Sequence, residues 1–332
     1  MKKTLLRSLL IGSCTLAPVV AFAGGLDNPT CCQPPRVDIP DMREGWGFTL
    51  EGAAIRGYNN DLTYAVSPES IVTIGAFTSE SVTIEEIKPD YAFDLLVGVD
   101  YTLAGSGNVL KLSYEHLFNK TSSASQYDVF DDYFEGSVQL KLDAVDLLSE
   151  QHILIGPYWE ATLTGGLRYA RVSQDFDASV AVSALGVREA LALDSSFVAV
   201  SEDMQFNGVG PLGGLGSMFH LTENFALGGE GQMALLIGRN KASVNALEVL
   251  PVTVAAADVF VFDDKADNIY SIVPELKARI FGNYFYRFQD GMELQVEAGW
   301  KIDQFFNLRT NTTNVSNDIG FSGPYLKGHI KL

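Results

Sequence analysis

The stretch MELQVEAGWKID, residues 292–303, decides the fold class. Met292, Leu294, Val296, Ala298, Trp300 and Ile302 fall on one side, and Glu293, Gln295, Glu297, Gly299, Lys301 and Asp303 on the other. A repeat of two is the signature of a β-strand with one apolar and one polar face. Such a strand fits a water-soluble sandwich or the wall of a membrane barrel, and the alternation alone does not separate them.

The links between strands separate them. Similar alternation predicts strands near 46–56, 91–103, 107–118, 135–147, 155–173, 205–219, 224–239, 270–286, 291–306 and 319–332. Short links follow the even-numbered strands: 104–106, 148–154, 220–223 and 287–290. Long ones follow the odd-numbered strands: 57–90, 119–134, 174–204, 240–269 and 307–318. Short turns at one end and long loops at the other are the pattern of a transmembrane antiparallel up-and-down β-barrel, with periplasmic turns and extracellular loops. An even number of strands, about 10, puts both ends of the barrel on the periplasmic side. The Val- and Ala-rich stretches at 178–200 and 242–262 leave two options open: extra strands raising the count to 12, or elements folded over the mouth.

The N-terminus agrees with export. Lys2, Lys3 and Arg7 precede an apolar run from Ser8 to Val20, and Ala21-Phe22-Ala23 supplies a small-x-small cleavage pattern. The run holds Pro18 and falls short of the roughly 20 residues a helix needs to cross a bilayer. A buried N-terminal helix explains neither the order of charges nor the Ala-x-Ala site. Ile11-Gly12-Ser13-Cys14 loosely resembles a lipobox, but the residues after Cys14 stay apolar to Phe22, so cleavage after Ala23 is the expectation. Residues 1–23 are then a signal peptide, 24–45 a periplasmic leader with Pro29, Pro34, Pro35 and Pro40, and 46–332 the barrel.

Composition narrows the class further. Acidic residues number 41 against 23 basic ones, and the signal peptide removes three of the basic ones. That balance disfavours nucleic acid as a partner. No later segment approaches 18 uninterrupted apolar residues, yet mean hydropathy is +0.11, with 31 Gly, 20 Phe and 13 Tyr. In hydrocarbon only helices and closed barrels satisfy their backbone polar groups. Cys31 and Cys32 are neighbours with no third cysteine left after Cys14 departs. A strained vicinal disulfide or a bridge to another chain are the two options. No metal site is expected, because four ligands cannot be assembled around them.

The residues also carry a resemblance. The paired cysteines with Pro34-Pro35, then Gly45-Trp46-Gly47-Phe48-Thr49-Leu50-Glu51-Gly52, Asn60-Asp61-Leu62-Thr63-Tyr64-Ala65 and Gly165-Gly166-Leu167-Arg168-Tyr169-Ala170-Arg171 occur in order. Phe206-Asn207-Gly208-Val209-Gly210-Pro211, Val273-Pro274-Glu275-Leu276-Lys277-Ala278 and Ser322-Gly323-Pro324-Tyr325-Leu326 follow. The chain resembles the Legionella-type major outer membrane protein family of pore-forming porins over nearly its whole mature length. The resemblance implies an outer-membrane pore that associates through disulfides, inserted among outer-membrane lipid and lipopolysaccharide. The loops are this chain's own.

Enzyme chemistry finds little support. Among the four histidines, His116 precedes Asp131-Asp132 in the next loop, a conceivable general-base pair. His152 and His220 are assigned to periplasmic turns. No Gly-x-Ser-x-Gly or His-Glu-x-x-His motif occurs, and no cofactor is expected. The Gly-rich run 208–216 lacks the Gly-Lys-Ser/Thr of a phosphate loop.

The polar face of each predicted strand names the lumen. Inward acids are Asp94, Asp100, Glu115, Asp143, Glu160, Glu230, Glu275, Glu293, Glu297 and Asp303. Inward bases are Lys111, Lys141, Arg168, Lys277, Arg279, Lys301, Lys327 and Lys331. Trp46, Trp159 and Trp300 are assigned to interfacial girdles near strand ends, facing lipid. Charges of both signs make either a transverse field in a water-filled channel for ions and small polar solutes, or pairs that plug a barrel little wider than the eight-stranded class. A diffusion pore and a closed structural or adhesive barrel are the two hypotheses.

Overall fold

The computed structural model describes residues 44–59, 63–68, 72–73, 76–77, 82–86, 89–104, 108–127, 132–156, 158–182, 196–252, 256–309 and 316–332. The expected signal peptide, Cys31 and Cys32 with all but the last two residues of the leader, and Asp131 of the suggested His116 pair lie outside them.

Ten strands form one closed antiparallel barrel: β1 (Gly45–Asn59), β2 (Tyr91–Thr102), β3 (Asn108–Tyr127), β4 (Asp132–Ile155), β5 (Trp159–Val182), β6 (Ser196–His220), β7 (Phe225–Val252), β8 (Ala256–Arg287), β9 (Glu293–Arg309) and β10 (Ser316–Lys331). Each strand pairs with its sequence neighbour, and β1 closes on β10 from Gly47 opposite Lys331 to Asn59 opposite Ile319. Closure leaves no strand edge with unpaired backbone groups, which a hydrocarbon environment requires. Two small hairpin sheets, Thr63–Pro68 with Val82–Glu86 and Val72–Thr73 with Ala76–Phe77, lie in the link between β1 and β2.

The alternation of links holds, but much of what the sequence assigns to long loops is strand. Ser196 pairs with Val182 and the register runs without a break to Phe219 opposite Trp159. Val252 pairs with Ala256 at the far end of the β7–β8 hairpin. The described parts of the Val- and Ala-rich stretches lengthen β5 to β8, and the barrel has ten strands. A transmembrane strand needs about 9–11 residues, so β8, with 32, stands well clear of the bilayer. At the other end the links are tight. Gly291, at φ 93°, takes up the left-handed backbone of the turn that brings Phe288 N to Met292 O at 2.8 Å.

The β4 boundary is another correction. The expected turn at 148–154 is strand up to Ile155, so His152 stands on β4 and His220 ends β6. In β9 a bulge between Phe305 and Leu308, with Asn307 at φ 58°, adds one residue. It lets both Phe305 and Leu308 be buried although they stand three positions apart, which in a regular strand puts them on opposite faces.

The outer wall is apolar. Leu50, Leu112, Leu147, Leu167, Leu235, Ile280 and Leu326 are exposed on it, an arrangement that only lipid makes favourable. All three tryptophans face outward, and two match the girdle: Trp46 is the second residue of β1 and Trp159 opens β5. Trp300 does not. It sits midway along β9, opposite Ile280 on one side and Pro324 on the other, at the depth of acyl chains rather than headgroups. In reconstituted vesicles, lipids brominated near the bilayer centre should quench Trp300 most strongly, and shallow bromines Trp46 and Trp159. Equal quenching of all three by shallow bromines would contradict this placement.

Candidate functional site: the barrel lumen

The lumen is stacked in three levels, which follow from residue order along each strand. Starting from the periplasmic turns, β9 presents Glu293 and Glu297, then Lys301 and Asp303, then Phe305 and Leu308. β5 presents Glu160, Thr162 and Thr164, then Arg168, then Ala170, Val172 and Phe176. β8, running downward, presents Val273, then Glu275, Lys277 and Arg279, then Phe281, Asn283 and Phe285.

The top level is an apolar plug. Side chains from nine of the ten strands join one buried cluster, among them Ile55, Leu117, Leu140, Val172, Phe206, Leu236, Val273, Phe305 and Phe321. Phe206 and Phe305 have no exposed surface, and burying each side chain of this kind is worth about 1.5–3 kcal/mol. Phe305 and Phe321 meet edge to face, with ring centroids 6.3 Å apart.

Beneath it lies a charged level that spans the lumen. Arg168, with none of its surface exposed, approaches Glu275 at 2.7 Å, Asp146 at 2.8 Å, Asp303 at 3.6 Å and Glu115 at 3.8 Å. The Lys277 ammonium is 2.7 Å from Glu115 and 3.5 Å from Asp303. Lys301 bridges Glu51 at 2.8 Å, Glu115 at 3.0 Å and Asp94. Arg279 lies 2.9 Å from Glu51 and 3.4 Å from Glu230, with its guanidinium 5.3 Å from the Tyr325 ring centroid. The charged residues of this level come from eight strands, so the network ties opposite walls together rather than lining a channel.

The lowest level holds a cavity lined largely by polar and charged side chains. It measures about 220 Å³ and is bordered by Thr49, Asp100, Lys111, Glu150, His152, Glu160 and His329. Glu160 accepts from His152 at 2.6 Å and lies 3.4 Å from His220. Across from it, His329 lies 3.0 Å from Asp100, and Lys111 lies 3.5 Å from Glu150. Lys327 and the Tyr325 hydroxyl both bond Glu297, at 3.1 and 2.6 Å. Glu293 and Lys331 reach the same cavity.

Sixteen of the eighteen expected lumen charges therefore point inward. Lys141 and Asp143 do not. On β4 the inward positions are Leu140, Leu142, Ala144 and Asp146, and Asp143 shares the outer face with His116 and Tyr114, its neighbours at 2.7 and 2.8 Å. The assumption that failed was that the polar face is the inner face along the whole strand. Within the bilayer the outer face meets lipid and must be apolar. Above it the outer face meets water while the inner face packs the plug, so the polarity inverts. β5 shows both halves: Leu163, Leu167 and Tyr169 outside below, Arg171, Ser173 and Asp175 outside above.

Asp146 was missed for the same reason, since Leu147 and Leu148 beside it blur the alternation. Glu51 lay within a stretch quoted only for its resemblance, although it alternates cleanly with Leu50. The His116–Asp143 contact replaces the suggested pairing with Asp131-Asp132. It faces outward, on the wall of the barrel and away from the lumen. Among the described residues no cluster suited to a metal ion occurs.

Comparison with known proteins completes the picture. No curated protein matches the chain. Among solved structures, the outer membrane protease OmpT from Escherichia coli is similar at 14% identity and a TM-score of 0.45, covering 88% of this chain and 97% of that one. The Ralstonia pickettii toluene transporter TbuX is similar at 10% identity and a TM-score of 0.33, covering 88% and 90%. At these values neither bears on what this chain does. The sequence match is more informative: residues 38–332 match the family described as Legionella pneumophila major outer membrane protein precursor. With a closed ten-stranded barrel carrying a lipid-type outer wall, the chain belongs to the Legionella major outer membrane protein family.

Proposed function

We propose that this outer-membrane barrel is sealed in its resting state and serves as a closed structural or adhesive protein that carries its long strands and loops outside the cell. The observation that carries the reading is Arg168, fully buried among four carboxylates from four other strands, beneath a continuous apolar plug. An ion entering from either end meets packed side chains before it crosses. Single-channel recording on the purified protein in planar lipid tests this. No stable conductance steps are expected, and regular ohmic steps from wild-type protein would overturn the reading.

A second reading, a porin for ions and small polar solutes, is favoured by the charged cavity on the periplasmic side and by the resemblance over the mature chain. It requires the plug and the charged level to part.

The same proposal includes export with cleavage after Ala23, no enzymatic activity, and lipopolysaccharide as the surrounding lipid. It also takes Cys31 and Cys32 as bridges between copies. Non-reducing gels should show multimers that collapse with reductant and disappear when both cysteines become Ser, with the barrel still folded. Monomer alone without reductant would leave the vicinal bond or free thiols.

A further inference from the structure

The inversion of polarity marks where the lipid stops, and a row of charged and polar residues runs along that mark. His116, Asp143, Arg171, Asn207, Arg239 and Tyr270 stand directly opposite one another across six adjacent strands, β3 to β8. The row just below on the outer wall is apolar or aromatic: Tyr114, Val145, Tyr169, Val209, Ile237 and Ile272. Barrel strands tilt, so the row is an oblique stripe around one side of the wall.

The two arginines on this stripe are exposed. Among the described residues neither Arg171 nor Arg239 comes within ion-pair distance of a carboxylate. Asp143, beside Arg171, is occupied by Tyr114 and His116. Arg171 is instead held by an amide: with its oxygen turned toward the guanidinium, Gln205 accepts at 2.7 and 2.9 Å. Arg239 donates to the Tyr270 hydroxyl at 2.9 Å and lies 5.2 Å from that ring's centroid. Neutral partners fix both guanidinium planes, and Asp143 faces Arg171 across the strands without an ion-pair contact. One strand separates them, so their backbones are about 10 Å apart. Lys241 is exposed one outward position above Arg239.

A guanidinium held in place at the lipid–water boundary suits a phosphate, which accepts paired hydrogen bonds from its fork. Tyr169 and Tyr114 beneath offer aromatic surface at the depth where acyl chains begin. We propose that Arg171 and Arg239 form a binding site for the phosphates of an anionic outer-leaflet glycolipid of the lipid A type, with its acyl chains lying against the Tyr114–Ile272 row. The site is built on the outer wall and does not depend on whether the lumen is open or sealed.

Native mass spectrometry of the full-length folded barrel in detergent tests the site, using bisphosphorylated lipid A, the same lipid A stripped of phosphate, and inorganic phosphate as competitor. Wild-type protein should retain the phosphorylated lipid about tenfold better than the stripped one, as expected for charge-assisted pairs at two arginines. The Arg171→Gln, Arg239→Gln double variant should lose that preference, whereas Lys265→Gln, on the exposed β8 extension, should keep it. Heat-modifiability on gels checks that each variant is folded; if the double variant is not, the two lipids compared on wild type still decide. Equal retention of both lipids by wild type, or an undiminished preference in the double variant, would overturn the proposal. Displacement by inorganic phosphate at the lipid's own concentration would also overturn it, because a free anion would then be the ligand.

Discussion

Replacing Arg168 with Met is expected to destabilise the folded barrel by about 3–5 kcal/mol, the usual cost of removing one partner from a buried ionic network. Asp146 and Glu275 contact Arg168 most closely, at 2.8 and 2.7 Å. Both are almost wholly buried, so their loss of hydration is not recovered when the cation goes. Arg168→Lys should fall between, because an ammonium keeps the charge but cannot present the planar fork that meets two carboxylates at once. Urea unfolding in detergent micelles, followed by heat-modifiability, measures the difference. A change below about 1 kcal/mol would mean that water reaches these groups, since exposed pairs are worth no more than that. The sealed lumen would then be wrong.

The second large effect concerns Lys277 and Arg279, changed together to Gln. In a water-filled lumen this change would leave melting nearly untouched and shift ion preference toward cations, because the inward acids would be left in larger excess. The geometry predicts otherwise. Lys277 is the closest cation to Glu115, and Arg279 neutralises Glu51 and Glu230. Losing both should cost at least about 3 kcal/mol. The sum should stay below twice a single loss, because Lys301 remains within reach of both Glu51 and Glu115 and couples the two sites. Urea midpoints of the single and double variants measure this, and conductance recorded in parallel separates the readings. Unchanged midpoints with cation-selective steps in both wild type and variant would restore the porin.

Both results bear on how a strand pattern is read. The clean alternation of 292–303 located β9 to within a few residues, and all its predicted inward charges face the lumen. This works because most of β9 lies within the bilayer, where lipid outside and polar contacts inside impose opposite chemistry on alternate residues. β4 shows where the same rule fails. Gln139, Lys141 and Asp143 alternate as cleanly with Leu140 and Leu142, but the apolar set is the one inside. Trp300 shows a related failure: its residue type points to an interface, while its register against Ile280 and Pro324 places it in mid-wall.

The sequence by itself determined the class of fold, a count of about ten strands with twelve left open, their antiparallel order and the end that carries the tight turns. These depend on local chemistry: a period of two, glycine at a sharp turn, and the absence of any helix-length apolar run. Tertiary structure decided which face is inside at each height, how far the strands outrun the bilayer, and that charges from opposite walls meet instead of lining a channel. Alternation divides residues into two sets without saying which one faces inward. That choice depends on where the lipid ends and on what fills the barrel, and both are set by contacts between residues as far apart as Glu51 and Lys301.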